Sequence, residues 1–391
     1  MTVSLGIEEL LKSPPTFLKD KRLALLCNQA STDRHFRHSR DLIAQAFPGR
    51  LSCLFSPQHG FYAEKQDNMV ESAHMLDQAT GLQVYSLYGD KRKPDQTMFE
   101  HIDVLLIDLM DVGTRVYTFF STLAYCLEAA AKFNKQVVIL DRPNPLGGAI
   151  VEGNLLTPDC RSFVGLYPLP MRHGLTLGEL ALYINSHIDQ ESINADLKVV
   201  PMRGWRRSML FHDTGLPWVF PSPNMPTLQS AMVYPGQVIW EGANVSEGRG
   251  TAMPFELFGA PFFNHKEILD YVGEINGCTL RPVVFEPVAN KWAGRNCIGF
   301  QIHITDHEIF RPYSSSLILL QAIIHLYPDD FQYKPPPYEY EYDRLPMDLI
   351  LGDVSLRKSL EGKVPVSNLE KKWQHGLHEF DKARKQVFLY D

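Results

Sequence analysis

The strongest constraint on how this chain folds is a series of five short apolar runs in its first 145 residues: Arg22–Asn28, Leu51–Phe55, Gln83–Leu87, Asp103–Leu109 and Gln136–Leu140. Most are apolar on successive positions rather than alternate ones, which suits strands covered on both faces, as in a parallel sheet. Between the last two, Val116, Phe120, Leu123, Leu127 and Ala130 recur at helical spacing, so Val116–Phe133 reads as an amphipathic helix. Strand, helix and strand in alternation predict an α/β fold built on a Rossmann-like, mostly parallel sheet. No GxGxxG follows any of these strands, so a dinucleotide cofactor is not expected.

Length then divides the chain. Its 391 residues exceed a single core, and we expect a Rossmann-like domain over residues 1–240 and a smaller α+β domain over 241–391 that closes the cleft. The stretch from Pro143 to Pro261 is rich in Pro, Gly and Asn and longer than an ordinary connection, which marks it as functional. Within it we predict a helix over Thr176–Ile188 and a strand over Leu197–Pro201. Helix Lys266–Ile275, strands Arg281–Glu286 and Cys297–Thr305 and helix Ser314–Tyr327 follow, then a proline-rich linker, KPPPYEYEYD. A final helix starts near Ser367, with Glu370 completing a capping box.

Charge and cysteine usage narrow the function. The balance of 38 Lys+Arg against 45 Asp+Glu gives −7, with no basic run, so neither nucleic acid nor an anionic membrane surface is an expected partner. No stretch approaches the roughly 18 apolar residues of a membrane span. Glu8, Glu9 and Lys12 interrupt any charged-then-apolar leader. Six scattered cysteines without a CxxC pair read as reduced thiols of a cytoplasmic protein.

Ligands of an open parallel sheet sit beyond the carboxyl ends of its strands, and four of these ends are loaded with polar residues. The first run ends with Asn28, Gln29 and Ser31; Gln58, His59, Glu64, Gln66, Asp67 and Asn68 follow the second. The fourth contains Asp108 near its end and is followed by Asp111, Arg115 and Tyr117, and Asp141, Arg142 and Asn144 follow the fifth. Any one of them is explained as a cap or turn former; together they predict a pocket. No metal is expected, because His35 and His38 sit among Arg34 and Arg37, and Asp103, Asp108 and Asp111 lack a dedicated loop. No GxSxG elbow appears and no cysteine sits beside a base motif. What remains is carboxylate chemistry: Glu64 and Asp67 in one loop, Glu241 and Glu247 in WEGANVSEGRG. Two carboxyl groups facing across a cleft are what glycoside hydrolysis needs, and ion pairs with Arg249 are the competing reading. The glycines of SEGRGT let the backbone approach a ligand and Arg249 reach in as a fork-shaped donor. Tyr117, Trp218 and Trp240 offer faces for a sugar ring or for the core.

Longer motifs then carry a resemblance. LLCNQAS, LFSPQHGF, DVGTRVYTFFST, LDRPNPLGG, VEGNLL, MRHGLTLGELA, PSPNMPTL, YPGQVIWEGANVSEGRGTAMPFELFGAPF, CIGFQIHITD and RKQVFLYD occur in order along nearly the whole chain. In these the chain resembles the NamZ-type exo-β-N-acetylmuramidases, a glycoside hydrolase family long described as a domain of unknown function. The resemblance implies a Rossmann-like domain with a smaller α/β domain, an active site in the cleft between them, and no nucleotide, metal or other cofactor. It also implies a partner that is a small amino-sugar glycoside or peptidoglycan fragment, cut at its non-reducing N-acetylmuramic acid. Arg115, Arg142, Arg172 or Arg249 would answer the lactyl carboxylate of such a sugar. The family's usual PEHGF reads Pro57–Gln58–His59–Gly60–Phe61 here, and glutamine neither donates a proton as an acid nor attacks. The role passes to Glu64 or Asp67, or Gln58 orients substrate while Glu247 catalyses, or the chain no longer cuts the family's bond and binds sugar or acts on another glycoside. On the first reading Glu64 and Glu247 are the catalytic carboxylates, with His59 and Asp67 as tuning or proton-shuttle partners. Gln58, Asn68, Asp108, Arg115, Asp141, Arg142, Asn144, His173, Asn224 and Arg249 are the expected binding residues.

Overall fold

The computed structural model describes residues 2–67, 69–186 and 193–391, and Asn68 therefore lies outside the described residues. Seven strands form one sheet: β1 (Leu23–Leu26), β2 (Leu51–Ser56), β3 (Met75–Leu76), β4 (Gln83–Ser86), β5 (Val104–Ile107), β6 (Gln136–Leu140) and β7 (Asp196–Val200). Their order is β3-β4-β2-β1-β5-β6-β7, and every neighbouring pair is parallel except β3 with β4. Counted without the short β3, the parallel strands run 3-2-1-4-5-6, the doubly wound order whose direction reverses between β1 and β5.

The successive apolar residues do what a two-sided sheet requires: all four residues of β1 and of β5 are buried. Ala24, Leu26, Leu105 and Ile107 meet Leu123, Leu127 and Leu180 from helices Phe119–Lys132 and Leu177–Ser186. Leu23, Leu25, Val104 and Leu106 face the other way, against Ile7, Leu10, Leu42 and Ile43 of helices Gly6–Lys12 and Ser39–Ala46. The helix expected over Val116–Phe133 begins only at Phe119, and the three residues before it are loop, which matters for the site. Ile188, the predicted end of the next helix, lies outside the described residues.

A second, antiparallel sheet of β8 (Leu257–Ala260), β9 (Cys278–Phe285) and β10 (Cys297–Ile304), in the order β8-β10-β9, packs with helices of the later chain. This is the expected smaller α+β unit beside a larger α/β one. Helices Leu228–Gln237 and Pro312–Leu326 cross closely because Gly236 lacks a side chain: a Cβ there would stand 2.0 Å from the Pro312 carbonyl oxygen. The expected capping box at Ser367 does not form. That helix, Val366–Arg384, starts one residue earlier behind Pro365, and the Glu370 carboxylate accepts from Ser314 Oγ instead. Among the described residues no helix is long and apolar enough to cross a membrane.

Candidate active site

The loop that follows β2 turns sharply, with His59 at φ 73° and Gly60 at φ 85°, and this buries Gln58 at the end of the strand. Gln58 Oε1 accepts from the hydroxyl of Thr118, in the stretch where the predicted helix is still loop. Its Nε2 donates to Glu339 Oε1 at 3.0 Å. Glu339 comes from the proline-rich segment read as a linker. Tyr338 and Glu341 exchange both backbone hydrogen bonds around it, leaving Glu339 (φ 47°) and Tyr340 (φ 67°) as a two-residue turn. Positive φ at both central positions is the primed-turn arrangement that Asn-Gly adopts at little cost. A Glu-Tyr pair held there stores strain of about 1–3 kcal/mol per residue, of the kind found at functional sites. The turn sends three side chains three ways: Tyr338 to Glu241, Glu339 to Gln58, and Tyr340 under the guanidinium of Arg92.

Gln58, Thr118, Tyr338 and Glu339 line one small cavity together with His59, Val116, Tyr117, Phe119, Ser222, Asn224, Tyr234, Glu241, Arg249 and Phe255. Its free space of about 30 Å³ admits a water molecule or two. Two of the lining side chains are carboxylic acids in opposite electrostatic settings. Burial pushes Glu339 up to about 7, against hydrogen bonds from Tyr88 Oη (2.6 Å) and Gln58. Glu241 is equally buried, but the Arg249 guanidinium at 2.6 Å and the Tyr338 hydroxyl at 2.7 Å outweigh desolvation and hold it below the usual carboxylate range. Near neutrality one acid keeps a proton to give while its neighbour is ionised. Burial also holds His59 down, to about 4, so its ring is neutral. Nδ1 lies 2.7 Å from the Lys65 carbonyl, which makes Nδ1 the donor and leaves Nε2 an acceptor.

Of the predicted residues, Gln58, His59, Asn224 and Arg249 meet at this cavity. Asn224 Nδ2 and Arg249 Nη1 both donate to the Gln66 carbonyl, which pins the β2 loop over it. The two predicted catalytic carboxylates do not line it. Glu64 is exposed and bonds the Tyr62 amide within its own turn. Glu247 is buried behind Arg249 and Lys291, at 3.1 and 2.7 Å. Asp67 is exposed and receives Asn290 Nδ2.

The remaining predicted binders serve the fold. Arg115 spends both terminal nitrogens on the carbonyls of Asn154, Leu169, Ile350 and Leu351. Asp108 and Arg142 pair with each other and with Ser39 and the Thr32 carbonyl, filling the reversal point of the sheet from within. Asn28 and Gln29 hold the Pro221 and Phe220 carbonyls across the same place. Asp141 receives Thr176 Oγ1, the Gly178 amide and Tyr390 Oη. Asn144 bonds Leu175 and Leu146. His173 is enclosed 3.9 Å from Asp111, its Nδ1 accepting from the Leu175 amide. Arg172 donates to the Leu146 carbonyl. In SEGRGT, Gly250 approaches the backbone of Ala289. Trp240 stacks on Phe258 and Trp218 packs on Phe211, whereas Tyr117 lines the cavity. Among the described residues no three His, Cys, Asp or Glu side chains are grouped to hold a metal ion.

The family description "Exo-beta-N-acetylmuramidase NamZ, N-terminal" matches residues 23–229, and its C-terminal counterpart matches residues 232–390. A curated relative, the peptidoglycan beta-N-acetylmuramidase NamZ of Bacillus subtilis strain 168, is 40% identical over 390 residues, 99% of this chain and 91% of that protein. Two crystal structures of DUF1343 family proteins from Bacteroides fragilis NCTC 9343 share the fold. One has a TM-score of 0.89 at 31% identity, the other 0.76 at 27%, each covering 100% of this chain and 99% of its own.

Proposed function

Because the chain belongs to the NamZ exo-beta-N-acetylmuramidase family, we propose that it is a glycosidase releasing N-acetylmuramic acid, or a closely related amino sugar, from the non-reducing end of small glycosides. The observation that carries this reading is the pair of buried carboxyl groups, Glu339 and Glu241, pushed to opposite protonation states in one cavity. Environments that separate two such groups define an acid and a base. Glu339 protonates the departing glycosidic oxygen. Glu241, ionised beside Arg249, faces the positive charge that develops on the sugar ring or activates the attacking water. Gln58, anchored by Thr118, presents its amide to Glu339 and to the substrate. These groups satisfy one another, and on this reading sugar hydroxyl and N-acetyl groups take over those pairings.

The experiment is hydrolysis of a chromogenic N-acetylmuramic acid β-glycoside by the purified protein, beside the N-acetylglucosamine analogue and Glu339→Gln. Release from the muramide, lost in the variant, supports the assignment; turnover that survives Glu339→Gln overturns it. The amide of Gln58 favours one second reading, a sugar-binding member that no longer cuts the family's bond. On that reading the wild type binds the muramide saturably without release, and Gln58→Glu gains hydrolysis. Recycling of imported wall fragments in the cytoplasm is the proposed setting, which fractionation of cells carrying the tagged chain checks.

A further inference from the structure

A second concavity of about 700 Å³, open to solvent, lies against the Glu339 turn. The two share a wall made of consecutive residues: Val164 and Glu339 line the cavity, while Phe163 and Tyr340 line the groove. Tyr88, whose hydroxyl donates to Glu339, packs its ring on both Phe163 and Tyr340, with centroids 6.0 and 5.7 Å away. Two arginines line the groove. Arg92 lies 4.1 Å over the Tyr340 ring and reaches the Glu339 carbonyl at 3.5 Å, and its charge favours the ionised Glu339 carboxyl. The Arg161 side chain is exposed, two residues before Phe163. The groove's acids are already matched, Glu128 by Lys93 and Glu341 by Arg344, and among the described residues neither Arg92 nor Arg161 has a carboxylate at ion-pair distance.

The N-acetylmuramic acid released from the non-reducing end carries a carboxylate on its 3-O-lactyl ether, and the sugar it is cut from carries none. Of the arginines expected to answer that carboxylate, Arg115 and Arg172 are spent on backbone carbonyls, Arg142 on Asp108, and Arg249 on Glu241 and Glu247. Resting on the reading above, we propose that Arg92 and Arg161 are the specificity determinants, gripping the lactyl carboxylate of the released sugar where the groove meets the Glu339 turn. The placement follows from Glu339 itself, whose carboxyl faces the cavity while its carbonyl meets Arg92. A sugar engaged by that acid has Arg92 within reach of its ether substituent. Guanidinium forks suit carboxylates, and stacking over Tyr340 holds that of Arg92 in place before the ligand arrives. A sugar with a free 3-hydroxyl leaves both arginines without a partner.

The test is calorimetric titration of the purified protein with N-acetylmuramic acid and with N-acetylglucosamine, which differ only in the lactyl ether and hold no bond for the enzyme to cut. Arg161→Gln is the cleaner variant, because the Arg161 carbonyl, not its side chain, holds Arg344; Arg92→Gln accompanies it. Each should weaken N-acetylmuramic acid about tenfold, the loss typical of one charge-assisted contact, and leave N-acetylglucosamine within about twofold. Arg161→Lys, which keeps the charge without the fork, should recover part of the loss. Equal changes for the two sugars, or an unchanged affinity for N-acetylmuramic acid, overturn the assignment. So does a wild type that binds N-acetylmuramic acid no more tightly than N-acetylglucosamine. Hydrolysis does not enter this comparison: turnover that survives Glu339→Gln removes the acid proposed above, and the affinity ratio still decides the two arginines.

Discussion

A single side chain, Glu339, concentrates the chemistry of the cavity, and its behaviour with pH follows from its surroundings. Because burial raises it to about 7, the acid form falls away as pH climbs through that value, and kcat on the chromogenic muramide should fall with it. Glu339→Gln should cost about 10²–10⁴ in kcat, the usual contribution of a positioned proton donor, while the far-UV spectrum stays that of the wild type. This residue was invisible in the sequence, where EYEYD after three prolines has the composition of a solvated linker. Its signal, an acid in a turn of wrong residue type for that turn, exists only once backbone angles are known. Gln58, His59, Asn224 and Arg249 were legible because they stand at strand ends or in a glycine-flanked loop. Asp108, Asp141 and Arg142 stand in similar places and are consumed by one another or by caps. Sequence position marks where a pocket is permitted; the hydrogen-bond partners decide which groups remain to face it.

At the scale of elements, the two-sided burial of β1 and β5 was readable from successive apolar residues, whereas the crossing of helices Leu228–Gln237 and Pro312–Leu326 was not. That crossing depends on a missing methyl group. Gly236→Ala would drive Cβ into the Pro312 carbonyl and Ser316 Oγ, at 2.0 and 2.3 Å, and should destabilise by about 1–3 kcal/mol in a denaturant titration. The N-terminal end of the second helix carries a pH effect. Glu152 Oε1 accepts from the Ser314 amide at 2.9 Å, yet burial raises the carboxyl from 4.5 to about 7. Below pH 4.5 folded and unfolded chains both hold the proton and stability is complete. Between 4.5 and 7 the unfolded chain releases it first, so stability falls, by roughly 3 kcal/mol once pH exceeds 7. Glu152→Gln keeps the acceptor without the charge. Its melting temperature should gain on the wild type as pH rises from 4.5 to 7 and hold that lead above; a constant difference at all pH would refute this.

For the molecule as a whole, the end of the chain fastens one unit to the other. Tyr390 Oη donates to Asp141 Oδ2 at the end of β6 (2.6 Å) and accepts from the Met202 amide (3.0 Å), and the Leu389 amide donates to Glu179. Tyr390→Phe strands the buried Met202 amide and takes one of three donors from Asp141, and we expect a loss of about 1–3 kcal/mol with a single calorimetric transition retained. The turn at Tyr338–Glu341 has a consequence in time. Ribosomes add about 5–20 residues per second, so the strand ending at Val200 is finished roughly 10 s before Glu339 is made. Through that interval the nascent sheet owns Gln58 and Thr118 but lacks the proton donor proposed above. Catalysis by this chain, once detected, therefore certifies that translation has passed residue 339 and that the late segment has come home to a sheet begun three hundred residues earlier.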